Sequence, residues 1–196
     1  VTVQDLRHQV TGESLAEAVA AGIASTIRPD KHAYLLVDAS RAPEIAPVLG
    51  ALTDHALCLF EGQAREDLSE VAPWLVPLTA DGEDDVFHWF MDEGWGKDWG
   101  IILFAGPEPA RVKTGLKRAL KAEDEEGRTL FFKYYRPSVF RTYLPAFEPE
   151  QAAYIMRDLS EVWTEDEARP DLIRRFAVRD GRLLTRDLNI VATETD

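Results

Sequence analysis

The chain has 196 residues and a formal charge of −13, with 45% hydrophobic and 29% charged residues. This length fits one domain, or one domain with an appendage, and needs no disulfide or metal to stabilise its core. The acidic balance excludes nucleic acid as the main partner, the absence of any run near ~18 apolar residues excludes a membrane-spanning helix, and a lone cysteine, Cys58, excludes an internal disulfide. The polar start of the chain lacks a secretory-signal pattern, so a cytoplasmic location is expected.

Leu15, Ala18, Val19 and Ile23 lie at helical spacing, with Ser14 or Thr11 as the cap. The run Ala33–Val37 predicts a buried strand ending at Asp38. A helix follows with Ile45, Val48, Leu49 and Leu52 on one face, preceded or opened by Pro43 and Pro47. Residues 56–60 read as a second strand and 66–72 as a short helix stopped by Pro73. Residues 74–78 read as a third strand, placed at an edge or bulge because Pro77 lacks a donor. An acidic turn at 81–85 leads into a helix over 86–93, closed by Gly94 as a left-handed cap. Residues 94–104 then enter a central strand. Three glycines and two tryptophans, Trp95 and Trp99, precede the unbroken run Ile101-Ile102-Leu103-Phe104, which suits burial on both faces.

Residues 108–121 form an amphipathic helix with Val112, Leu116, Ala119 and Leu120 on one stripe and a basic remainder. After an acidic turn at 123–127, residues 129–135 predict an aromatic-rich fifth strand, and 139–144 a short helix. Residues 149–163 place Ala152, Ile155, Met156, Leu159, Val162 and Trp163 on one helical face. Residues 176–184 read as a hairpin turning at Asp180-Gly181. The last six residues are expected to fray. The alternation of strands and helices predicts an α/β fold: a mixed, partly parallel sheet of about five strands with flanking helices over residues 1–145. A smaller α+β lobe, a helix and a β-hairpin, is expected over 146–196.

The chemistry is sparse. His8, His32, His55 and His88 show no metal-ligand spacing, so neither a metal nor a cofactor is expected. Gly94-x-Gly96-Lys97 lacks the spacing of a phosphate loop and precedes a strand instead of a helix. Asp38-Ala39-Ser40, at a strand's C-terminal end, resembles the first motif of haloacid-dehalogenase phosphatases. That motif has a second aspartate where Ser40 stands, and no metal-binding acidic pair ends a later strand. Asp38 therefore reads as a turn cap or a partner of Arg41, and no catalytic residue is assigned. Two segments carry local positive charge: 111–141, with Arg111, Lys113, Lys117, Arg118, Lys121, Arg128, Lys133, Arg136 and Arg141, and 172–190, with Arg174, Arg175, Arg179, Arg182 and Arg186. Each is a solvated face or a docking surface for an acidic partner.

Five stretches in order carry a family resemblance: Tyr34–Ala39, Leu59–Gly62, Ala72–Val76, Gly94-Trp95-Gly96 running on to Gly100-Ile101, and Phe132–Pro137 with Leu144-Pro145. Over about residues 33–145 the chain resembles the type VI secretion effector chaperones, or adaptors, a family long catalogued as a domain of unknown function. The family's last motif usually reads Arg, two aromatics, Asp, Pro. Here it reads Lys133-Tyr134-Tyr135-Arg136-Pro137, so an acid has become Arg136, and any pair those residues form is lost or reversed. The resemblance implies a non-enzymatic cytoplasmic adaptor that binds a toxic effector encoded nearby and helps load it onto the spike (valine-glycine repeat) protein. It implies neither nucleic-acid binding nor membrane insertion. The expected partner-binding residues are Trp95, Trp99, Lys113, Lys117, Lys121 and Arg136 on the main lobe, and Arg175, Arg179 and Arg182 on the hairpin. The alternatives are a toxin-binding immunity protein and a small hydrolase using Asp38.

Overall fold

A computed structural model describes residues 9–79, 84–123 and 129–192. His8, Arg128, most of the two acidic turns and the last four residues lie outside the described set. Eight strands form one sheet: β1 (Gln9–Gly12), β2 (His32–Asp38), β3 (Leu57–Cys58), β4 (Pro73–Pro77), β5 (Gly100–Ala105), β8 (Leu159–Thr164), β9 (Leu172–Arg179) and β10 (Arg182–Ala192). Their order is β1-β10-β9-β8-β5-β2-β4-β3. The short strands β6 (Lys121–Glu123) and β7 (Thr129–Phe131) make a separate ribbon. The described helices are α1 (Leu15–Thr26), α2 (Ile45–Leu52), α3 (Gln63–Leu68), α4 (Asp85–Glu93), α5 (Pro109–Arg118), α6 (Pro137–Tyr143) and α7 (Pro149–Ile155). Among the described residues no helix is long and apolar enough to cross a membrane.

The mixed α/β class is as expected, but among the described residues the sheet has eight strands rather than about five, and only β1 and β10 pair in parallel. The end of β2 at Asp38 lies opposite the start of β4 at Pro73. Since β2 and β3 are both antiparallel to β4, the connection through α2 carries the chain past one strand position to the sheet's edge, and β4 then fills the gap between them. Pro73 and Pro77 fit because Ala39 N–H donates to Ala72 and Leu78 N–H to Ala33. That pattern turns both proline nitrogens away from β2, and β3 is too short to reach Pro77.

The expected helix over 149–163 ends at Ile155, and the residues after it form β8. This strand is buried on both faces, so it loses the period-two signature, and Leu159, Val162 and Trp163 happen to fall at helical spacing. β8 pairs with β5 on one side and β9 on the other. The hairpin therefore continues the main sheet instead of forming a lobe of its own. The expected strand over 129–135 shortens to 129–131, and Tyr134 and Tyr135 pack into the core from an irregular segment.

Each sheet face buries one core. On the first, α1, α2 and α4 cover Leu35, Val37, Ile102, Phe104 and Trp163. On the second, α5, α6 and α7 cover Leu36, Ile101, Leu103, Val162 and Phe176. β5 is buried along its whole length, between β2 and β8. Gly100 opens it because a Cβ there would stand 2.4 Å from the Leu36 carbonyl oxygen. Gly94 ends α4 at φ −111°, not in the left-handed conformation expected; that conformation falls on Gly96 and Asp98 instead.

Candidate functional site

Where β2 ends, β5 begins and β8 ends, three buried carboxylates meet three cations. Asp98, at φ 60°, is 1% exposed. Its Oδ2 accepts from Arg136 Nε at 2.8 Å and Nη2 at 2.6 Å, and its Oδ1 accepts from the Ser138 N–H at 2.7 Å. Burial alone pushes the carboxyl up, but the Ser138 N–H and the Arg136 fork outweigh it and hold it below its ordinary value. The Asp98 N–H donates to Glu165 Oε1 at 2.9 Å. The other oxygen of Glu165 is buried without a hydrogen bond among the described residues, 3.7 Å from Arg141 Nη1. Burial chiefly, with the nearby Asp98 charge adding to it, lifts Glu165 to about 7.

Asp38 is fully buried. Its Oδ1 accepts from the Ser40 N–H at 3.0 Å and the Ser40 hydroxyl at 2.6 Å, and its Oδ2 from Lys133 Nζ at 3.3 Å. The turn-cap reading of Asp38 holds, but its cationic partner is Lys133. Arg41 reaches the Lys97 carbonyl instead. Lys133 also donates a hydrogen bond to Ser40 Oγ at 2.6 Å, while the Ser40 hydroxyl hydrogen is turned to Asp38. Burial, and then the Asp38 charge, push the Tyr135 hydroxyl upward.

One oxygen each of Asp98, Glu165 and Glu167 lie within 4.8 Å of one another, a spacing open to a cation. The Arg136 and Arg141 guanidinium groups already supply positive charge there. Chemically, this is an ion-pair network that ties the loop before β5 to the segment entering α6 and to the end of β8. The sequence missed it because its partners lie 38 and 67 positions apart. The one local signal was the Lys133–Arg136 motif, whose two cations pair with Asp38 and Asp98 from distant segments.

The expected partner-binding residues scatter across the molecule. Trp95 and Trp99 are each 7% exposed and belong to the first core, where the Trp95 indole N–H donates to the Pro170 carbonyl. This corrects their assignment to a docking surface: their apolar area is already covered. Arg136 is drawn inward onto Asp98. Lys113, at 3.0 Å, and Lys117 both pair with Glu61. Lys121 is exposed and lines a groove of about 490 Å³ with Phe132, Phe147 and Tyr154. Tyr154 is half exposed, as are Phe131 and Tyr143 nearby in the chain and in ring contacts. Arg175, Arg179 and Arg182 do share one face of the hairpin. Arg186 joins them, and the turn at Asp180-Gly181 was the signal that placed it, because a tight turn fixes the cross-strand register.

No curated protein and no solved structure matches the chain. A family model described as "Domain of unknown function (DUF4123)" matches residues 33–154, from β2 almost to the end of α7. The match takes in Asp38, Asp98, Lys133 and Arg136 and stops before Glu165 and the hairpin. With more than half of its residues in that match, the chain belongs to the DUF4123 family.

Proposed function

We propose that the protein is a cytoplasmic adaptor that binds a type VI secretion effector and helps load it onto the spike protein, and that it has no catalytic activity of its own. The observation that carries this reading is the family match over residues 33–154, which overlies the five motifs resembling the effector adaptors. The disposition of charge supports it. Asp38, the one carboxylate placed as a nucleophile would be, is fully buried and bound to Ser40 and Lys133. The exposed features are an aromatic groove beside Lys121 and an arginine-bearing hairpin, which suit contacts with other proteins.

The test is co-expression with the products of neighbouring genes. A toxin that co-purifies with this chain, and whose delivery stops when the chain is deleted, is the expected result. A protein that protects cells from the toxin without affecting its delivery would instead be an immunity protein, a role the acidic charge also suits. No complex with any neighbouring toxin or spike protein removes the adaptor reading.

A further inference from the structure

The β9–β10 hairpin carries a charge arrangement that folding alone does not require. Asp180 and Gly181, at φ 52° and 71°, make the tight turn that sets the register. Arg182 then lies opposite Arg179, Leu184 opposite Ala177, and Arg186 opposite Arg175. Side chains alternate along a strand, so these six residues share one face of the sheet. Ile173 and Leu188 continue that face into the core beneath α1. Toward the tip, Leu184 is 40% exposed, and Arg179, Arg182 and Arg186 are exposed around it.

Like charges directly opposite one another on paired strands repel and lower stability. Here this happens twice in succession. Arg175 finds some relief in Glu161, but that carboxylate also binds Lys31 at 3.2 Å. One acid therefore answers two cations. Burial pushes Glu161 up, and its bonds from Arg175 and the Trp163 indole outweigh that. Arg179, Arg182 and Arg186 make no ion pair with another described residue. Asp187 lies on the opposite face, bound to Arg174 at 2.8 Å, and Asp180 sits in the turn. The chain has 35 acidic residues against 22 basic ones, so acids to neutralise this face are plentiful elsewhere.

We propose that this face docks an acidic segment of a protein partner. Arg179, Arg182 and Arg186 present planar forks that match carboxylates, and an apolar residue of the segment covers Leu184 and Ala177. The apolar floor between the arginines favours a peptide over a phosphate backbone. The net charge of −13 repels an extended polyanion or an anionic membrane. A short segment within about 8 Å of the arginines feels mainly their local field. The partner's identity rests on the adaptor reading; the surface rests on the hairpin.

The test uses the full chain and a synthetic Asp/Glu-rich peptide with one central leucine, followed by fluorescence anisotropy. The amide counterpart of the peptide and phosphatidylserine-containing vesicles serve as comparisons. Arg182→Glu/Arg186→Glu sets each new carboxylate opposite an arginine. The expected result is that this variant binds the acidic peptide at least about tenfold more weakly yet unfolds no earlier than the wild type, while Arg182→Lys/Arg186→Lys, which keeps the charge but loses two forks, binds with intermediate strength. Equal binding of acidic and amide peptides, or binding unchanged by the double reversal, overturns the proposal. Arginine-dependent binding to vesicles but not to peptide overturns it too. A wild type that binds the peptide but retains no neighbouring toxin leaves the surface standing and removes the adaptor reading. A toxin retained equally by wild type and double variant, with peptide binding lost, leaves the surface standing for a different partner.

Discussion

Two clusters of positive charge in this molecule differ in what answers them. At the end of the sheet, Lys133, Arg136 and Arg141 each face a buried carboxylate: Asp38, Asp98 and Glu165. On the hairpin, arginine faces arginine across the strands. The first arrangement is closed on itself and holds three chain segments together. The second is open and lowers stability unless something else supplies the missing charge. Positive residues in a sequence therefore say little until their partners are known, and the unpaired ones are those available for recognition.

The most severe way to break the closed cluster is Arg136→Ala, which leaves Asp98 charged, buried and without its fork. Loss of one partner of a buried pair costs about 3–5 kcal/mol, read as a lowered midpoint in chemical denaturation. A smaller loss would mean that water reaches Asp98 and that the cluster is less closed than described.

Proton linkage gives the next effect. Glu165 is raised in the fold to about 7 from 4.5, so between those values the native state holds a proton that the unfolded chain has released. Stability should therefore fall as pH rises through that window, by an amount of order 3 kcal/mol. Asp98 is shifted the other way; its contribution is present above its unfolded value of 3.8 and is lost as pH falls below it. Glu165→Gln should flatten the decline between 4.5 and 7 while leaving the acid limb in place. A denaturation series across pH 3 to 8 reads both.

Lys133→Ala should cost less, about 1–2 kcal/mol, because Asp38 keeps both bonds from Ser40. The smallest effect has the opposite sign. Arg182→Glu replaces a repelling cross-strand pair by an attractive one and should stabilise the chain by about 0.2–1 kcal/mol, read as a rise in thermal midpoint. A destabilised Arg182→Glu would mean that the arginine face is held by contacts within the fold, and the contrast between the two clusters would fail.

How legible each part was follows from the range of its interactions. β5 could be read because Ile101–Phe104 has no polar interruption, and α5 because Val112 and Leu116 repeat at helical spacing. The hairpin was legible because Asp180-Gly181 sets its turn locally. β8 was not, since a strand buried on both faces carries no alternation, and without it the hairpin read as a separate lobe. Trp95 and Trp99 were read as anchors because size alone does not say whether an indole meets a partner or Phe90 and Trp89 of its own chain. The buried ion pairs were invisible because each joins segments brought together only by the completed sheet.

The two-residue turn at Asp180-Gly181 has a further consequence. Strand side chains point alternately up and down, so a single residue inserted there would send Arg182, Leu184 and Arg186 through the sheet to the α7 side, with every guanidinium still present in the sequence. Loop length, more than arginine count, is then the quantity to compare when judging whether another member of the family presents the same surface.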